Sequence, residues 1–255
     1  MKYYENLVDL GCFTVDDVEA LSGNRKTALS VIEAYKKKGL IDCVRRNLYV
    51  TISLETKQPV PSRYAIASRA AADAYVAYHS AFEFHGLANQ VYYEVYVASA
   101  ARFREFEYDG VVYRYVSSPF NNGIEVKSDG TRVTDLERTV IDGISNFDRV
   151  GGLEELLRCI ELIPLLDHNK LMEYLHCYNK AGLYQRAGYI LEHFKEALKL
   201  PDEFFATCRS KATKSKQYLE RAVQDNQVFN KDWGLYVPED LLAITRKGAS
   251  YDERL

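Results

Sequence analysis

The chain has 255 residues, 27% of them charged and 47% hydrophobic, with 14 Gly and 6 Pro, which excludes a disordered, collagenous or low-complexity protein. Lys+Arg 33 against Asp+Glu 36 gives a formal net charge of -3, so the global charge points to no polyanion partner. No uncharged run approaches the roughly 20 apolar residues of a membrane span, and Met1-Lys2-Tyr3-Tyr4-Glu5 lacks the apolar core of a secretory signal.

Charge is nevertheless uneven over the first fifty residues. Residues 1–23 carry one Lys against five acids, and residues 24–50 carry seven Lys/Arg against Glu33 and Asp42. Tyr3, Tyr4, Leu7, Val8 and Leu10 recur at helical spacing up to Gly11. Thr14 predicts the cap of a second helix with Val15, Val18 and Leu21, terminated by Ser22-Gly23. Asn24 predicts the cap of a third, with Ala28, Leu29, Ile32 and Tyr35 facing a core and its end near Gly39. Leu40–Val44 and Asn47–Val50 predict two strands around Arg45-Arg46. This order describes a winged helix-turn-helix in residues 1–55.

On the third helix, a step of about 100° per residue turns Lys26, Thr27, Ser30 and Lys37 outward, with Arg25 at the N-terminal end that reaches base edges in a major groove. Lys36-Lys37-Lys38 and the turn residues Arg45, Arg46 and Asn47 are expected to meet phosphates on either side. The residue set for DNA is therefore Asn24, Arg25, Lys26, Thr27, Ser30, Lys36, Lys37, Lys38, Arg45, Arg46 and Asn47. The competing interpretation is a protein-interaction module with solvated charges.

Residues 51–62, with Pro59 and Pro61, read as a linker into a larger α+β domain, 60–255, whose sheet-containing part extends to about 150. Helices are expected from Tyr64 to about Ala72 and from Asp73 to His85, the second with a core-facing stripe of Tyr75, Tyr78, Phe82 and His85. His79 and His85, about 240° apart on such a helix, cannot share a metal. Period-two segments follow at 91–97, 103–108, 111–116, 124–127 and 131–133, with Asp109-Gly110 as a hairpin turn. They predict a small, mainly antiparallel sheet. Thr134-Asp135-Leu136-Glu137 reads as a capping box opening a helix to about Ser145, along which Asp135, Arg138 and Asp142 form an ion-pair ladder or a polar site.

One constellation admits an enzyme. Asp109 with Glu125-Val126-Lys127 has the spacing of the Asp…Glu-x-Lys metal site of restriction-type nucleases, in which two carboxylates hold Mg²⁺. The alternative is an ordinary strand beside a turn. No phosphate-binding glycine loop or nucleophile-elbow motif occurs. Cys12, Cys43, Cys159, Cys177 and Cys208 form no Cys-x-x-Cys pair and read as reduced thiols of a cytoplasmic protein.

The C-terminal third is helical in pattern: 153–163, an Asp167-capped 168–180 and about 184–198. The basic run Arg209–Lys216 either touches nucleic acid or is a solvated loop. Trp233 lies in an extended tail that packs back on the domain.

Four stretches in this order resemble one family: Lys38-Gly39-Leu40-Ile41 with Arg45-Arg46-Asn47-Leu48-Tyr49-Val50; His79-Ser80-Ala81 with His85-Gly86-Leu87; Thr134–Asp142; and Gln185-Arg186-Ala187-Gly188-Tyr189-Ile190-Leu191-Glu192. The chain resembles the AbiEi-type antitoxins of bacterial abortive-infection (type IV toxin–antitoxin) systems. The resemblance implies a repressor that binds double-stranded promoter DNA of its own operon. It also implies a larger domain that counters a nucleotidyltransferase-like toxin without a stable complex, and it requires no cofactor, metal or membrane. Arg138 and Arg186, in the two motifs outside the N-terminal segment, are the candidates for antitoxin function. A non-catalytic regulator, a nuclease targeted by its winged helix, and an interaction module thus stand as the three function classes.

Overall fold

A computed structural model describes residues 2–220 and 227–245; residues 221–226 and 246–255 of the expected larger domain lie outside the described residues. Contacts divide the chain into two compact units. The first comprises residues up to 77 with 92–118 and 124–133, the second 78–91, 119–123 and residues from 134 onward. The division does not fall at residues 51–62. That stretch is a folded return, with the Ser53 and Val60 amides donating to the Gln58 and Thr51 carbonyls and Ile52 bridging Pro59.

Local chemistry explains the start of the first unit. Helix α1 (Tyr4–Leu10) stops at Gly11, where φ is 61°. Strand β1 (Cys12–Phe13) follows. Helix α2 (Val15–Ser22) begins with a reciprocal capping box between Thr14 and Asp17 and ends at left-handed Gly23. The Asn24 side chain accepts from the amides of Lys26 and Thr27 and opens α3 (Arg25–Lys37). Strands β2 (Ile41–Arg45) and β3 (Leu48–Thr51) join β1 in an antiparallel sheet of order β1-β3-β2.

The core beneath these elements gathers Leu7, Phe13, Val18, Ala28, Ile32, Tyr35 and Ile41. Leu29 is not part of it and is 51% exposed. Ala28, Ile32 and Tyr35 form one narrow stripe at i, i+4, i+7, and Leu29 lies about a quarter-turn off that line.

The same unit continues through α4 (Arg63–Ser68) into a six-stranded sheet: β4 (Tyr75–Val76), β5 (Glu94–Ser99), β6 (Phe106–Tyr108), β7 (Val111–Ser117), β8 (Ile124–Val126) and β9 (Arg132–Thr134). Its order is β6-β7-β5-β4-β9-β8. Asp109 and Gly110 both take positive φ in the β6–β7 turn. The sheet is mixed rather than mainly antiparallel, because β5 pairs parallel with β7 and β4 parallel with β9. The expected helix from Asp73 to His85 is also corrected. Tyr75-Val76 is a strand between β5 and β9, buried on both faces, and an apolar run of that kind has no periodicity to separate strand from helix.

In the second unit α5 (His79–Phe84) is followed by α6 (Leu136–Ser145), a 3-10 turn (Phe147–Val150), α7 (Leu153–Glu161), α8 (His168–Tyr178), α9 (Ala181–Glu192), α10 (Lys195–Leu198) and α11 (Asp202–Lys211). Strands β10 (Gln217–Tyr218), β11 (Gln227–Asn230) and β12 (Leu235–Pro238) form a sheet of order β10-β12-β11. Residues 137–144 of α6 are all buried, so this helix is central to the unit. Its cap is Asp135, which accepts from the Arg138 amide; Thr134 instead bonds Thr139 through its hydroxyl. The chain is thus of mixed α and β content, with small sheets that include antiparallel pairs set beside helices, an α+β protein.

Candidate nucleic-acid interface

Burial of Ala28, Ile32 and Tyr35 leaves the opposite face of α3 in solvent. Lys26, Thr27, Ser30, Lys36, Lys37 and Lys38 are all exposed, as is Arg46 in the β2–β3 turn. Glu33 is exposed on the same face, and Leu29 at its edge. Neither figured among the expected DNA-facing residues. The signal for Leu29 was present in the helical phase, which sets it apart from Ala28 and Ile32.

Three residues of that set have intramolecular work instead. Asn24 is spent on its cap. Asn47, in the hairpin turn with φ 62°, accepts from the Val15 amide at 3.0 Å and so ties the turn to the start of α2. Arg45 is half-buried: its guanidinium carbon lies 5.5 Å from the Phe103 centroid and 5.1 Å from that of Phe106, and its Nη1 is buried without a hydrogen-bond partner. Arg45, expected at a phosphate, thus has a packing role on two aromatic rings of the first unit. Exposed Arg102 and Arg104 flank buried Phe103 and add basic surface beside the hairpin, which no spacing within residues 1–55 could reveal.

Arg25 is exposed but engaged. Its Nη1 donates to Asp16 Oδ1 at 2.7 Å and to Glu19 Oε2 at 2.9 Å, both on α2. Val15, Arg25, Arg46, Asn47 and Tyr49 together line a concavity at this end of the unit.

In the second unit the two arginines proposed for antitoxin function differ sharply. Arg138 is fully buried. It donates to Asp142 Oδ1 and to the Asn122 carbonyl, each at 2.6 Å, and stacks 3.6 Å from the Phe120 centroid. Tyr178 donates to the same Asp142 oxygen, and Tyr174 to Asp135, both at 2.6 Å. The Asp135/Arg138/Asp142 ladder is thus a buried network on α6.

Arg186 borders a cavity of about 360 Å³ lined also by Asn146, Phe147, Asp148, Tyr218 and Glu220. Burial, reinforced by Asp148, raises the Glu220 carboxyl above its ordinary value.

Three other residues of the Gln185–Glu192 motif, Gln185, Gly188 and Glu192, meet Trp233. Gln185 Nε2 donates to the Trp233 carbonyl at 2.9 Å, and the indole N–H donates to Glu192 Oε2 at 2.7 Å. At Gly188 a Cβ would lie 2.1 Å from the indole ring. Arg209, from the basic run, lies over that ring and pairs with Glu192.

The nuclease constellation does not assemble. Asp109 sits in the β6–β7 turn at one edge of the six-stranded sheet and Glu125 on β8 at the other. At about 4.8 Å per strand they are roughly 20 Å apart, whereas ligands of one Mg²⁺ each lie about 2.1 Å from it. Lys127 pairs with Glu125 itself at 2.5 Å. Among the described residues no group of three or more His, Cys, Asp or Glu side chains is placed to hold a metal ion.

No family model matches the sequence, and no curated protein does. The crystal structure of the RV2827C protein from Mycobacterium tuberculosis is similar to this chain, with a TM-score of 0.65 and 15% sequence identity over 97% of this chain and 94% of that one. At that identity the likeness bears on the fold alone.

Proposed function

We propose that the chain is a DNA-binding transcriptional regulator whose residues 1–55 act as a winged helix-turn-helix, and that it serves as the antitoxin of a type IV toxin–antitoxin system. The observation that carries the DNA-binding part is the exposed face of α3. Lys26, Thr27 and Ser30 near its start, the three lysines at its end, and Arg46 in the hairpin turn are all open to solvent. A helix in the major groove needs this division, with short polar and basic side chains towards base edges and flexible cations towards phosphates. Leu29, exposed beside them, offers an apolar contact to a thymine methyl, and Glu33 an acceptor for cytosine N4.

The antitoxin part rests on the resemblance of the four sequence stretches, with a nucleotidyltransferase-like toxin as antagonist, no stable complex, and a cytoplasmic setting. Among the described residues no helix is long and apolar enough to cross a membrane. In this reading Arg186 carries antitoxin function and Arg138 supports the fold around it.

The test is a gel-shift titration of the full chain on duplex DNA from immediately upstream of its reading frame, at two salt concentrations. Several phosphate contacts predict that log affinity falls steeply with log salt, by about 0.9 per contact. Absent or salt-independent binding would refute the reading. Co-expression with an adjacent nucleotidyltransferase-like protein, scored by growth, tests the antitoxin part.

A further inference from the structure

Arg25 opens α3, where a groove-bound helix presents its first side chains to bases. Its hydrogen bonds to Asp16 and Glu19 both fall on one nitrogen, Nη1. A guanidinium carries five N–H donors, so the edge formed by Nε and Nη2 is left to offer two parallel donors. That edge matches the O6 and N7 acceptors of guanine.

The two acids do little for the fold. The side chains of Arg25, Asp16 and Glu19 are 56%, 71% and 38% exposed, and ion pairs so open to solvent contribute little to stability. Two carboxylates beside a DNA-binding face also repel phosphates. Their gain lies elsewhere: a long, mobile side chain already held in one orientation loses less freedom when it binds. Asp16 and Glu19, three residues apart on α2, share a helix face and reach the same nitrogen.

We propose that Asp16 and Glu19 are positioning residues that hold Arg25 for bidentate recognition of a guanine in the major groove. The inference rests on the DNA-binding reading above and adds the base that Arg25 selects and the residues that make it selective. Charge alone predicts the opposite effect of removing the acids. Without two negative charges, binding to every sequence would tighten with no change in discrimination.

The experiment passes the full chain, as wild type, Arg25→Ala and the Asp16→Asn/Glu19→Gln double variant, over a randomised duplex library and reads base preference position by position. Thermal melts establish that the variants are folded. Wild type is expected to enrich one guanine that Arg25→Ala ceases to prefer and the double variant prefers less, while preferences at other positions persist. On the selected duplex against the same duplex with that G·C pair changed to A·T, discrimination should fall roughly tenfold to a hundredfold in Arg25→Ala and about threefold to tenfold in the double variant, the range two exposed ion pairs can supply. Undiminished guanine preference in the double variant, or tighter binding to both duplexes at unchanged discrimination, would overturn the proposal. Enrichment of no sequence among the duplexes that wild type binds would overturn the inference alone, and failure of wild type to retain any duplex would overturn the DNA-binding reading with it.

Discussion

Arg45 packs its guanidinium against Phe106, with 5.1 Å between the guanidinium carbon and the ring centroid. The residue stands at the end of β2 and the ring on β6, so the hairpin is joined to the six-stranded sheet within the first unit. Arginine suits this place because its planar cation is weakly hydrated and stacks on aromatic faces. Arg45→Ala should lower the stability of the chain by about 1–2 kcal/mol through lost stacking and lost cover of Phe103 and Phe106. Its neighbour Arg46 is exposed, so Arg46→Ala should leave stability unchanged. It should weaken DNA binding on all sequences alike and reduce the salt slope by about 0.9. Urea unfolding and salt-titrated binding on the two variants check the contrast; equal behaviour in both assays would contradict it.

Arg138 should prove structural. Removing one partner of a buried ion pair leaves the other uncompensated, so Arg138→Ala is expected to cost about 3–5 kcal/mol, as is Asp142→Ala. Denaturant unfolding measures both. A stable Arg138→Ala protein that fails to neutralise toxin would move this residue into the functional site.

Arg186→Ala should have the opposite profile, with melting temperature retained and neutralisation lost, because the side chain borders an open cavity. Growth rescue by co-expression, scored beside the melting temperature, decides it. Unimpaired rescue would return Arg186 to a packing role against Phe147, whose centroid lies 5.7 Å from its guanidinium carbon.

Gly188→Ala is expected to destabilise by about 1–3 kcal/mol, since the added methyl meets the indole of Trp233 and the buried ring has nowhere to retreat. Trp233 is the sole tryptophan of the sequence, so its fluorescence reports the displacement directly. An unshifted spectrum with unchanged stability would show that the ring does not pack there.

His79 lies buried between Glu83 and Glu155, with Nε2 3.2 Å from Glu155 Oε1 and Nδ1 3.4 Å from Glu83 Oε1. Burial alone would lower its pKa, but hydrogen bonds to Glu155 and Glu83 outweigh that and raise it. For Glu155, burial pushes upward and is outweighed by His79 and the amides of Gln90 and Asn89, so its pKa falls. The His79 contribution to stability is full below its unfolded value of about 6.5 and is lost as pH rises through the raised folded pKa. The Glu155 contribution is full above about 4.3 and is lost as pH falls through the lowered one. Between those values both are present. His79→Gln should therefore cost most stability near pH 5–6, and a wild-type-minus-variant difference that grew above pH 8 would contradict the assignment.

Much of the first unit was legible because its signals are local. Thr14, Asn24 and Gly23 each act on amides and carbonyls within one helical turn, and Asp109-Gly110 supplies positive φ without help from distant residues. The exposed basic face of α3 followed from the phase of Ala28, Ile32 and Tyr35. Caps, turns and helix faces were therefore readable from residues a few positions apart. The remainder was not readable there, since it depends on partners far along the chain. Arg45 reads as a basic residue at a hairpin tip until Phe103 and Phe106 arrive from β6 and its loop. Tyr75-Val76 is helix or strand until β5 and β9 flank it. Asp16 and Glu19 look like ordinary helix-surface acids until α3 sets Arg25 between them. Gly188 and Arg186 share one motif, and only the return of Trp233 separates the residue that makes room from the residue that faces a cavity. Short-range hydrogen bonding is written in neighbouring residues; burial and pairing are not, because they are settled by which distant side chain occupies the space.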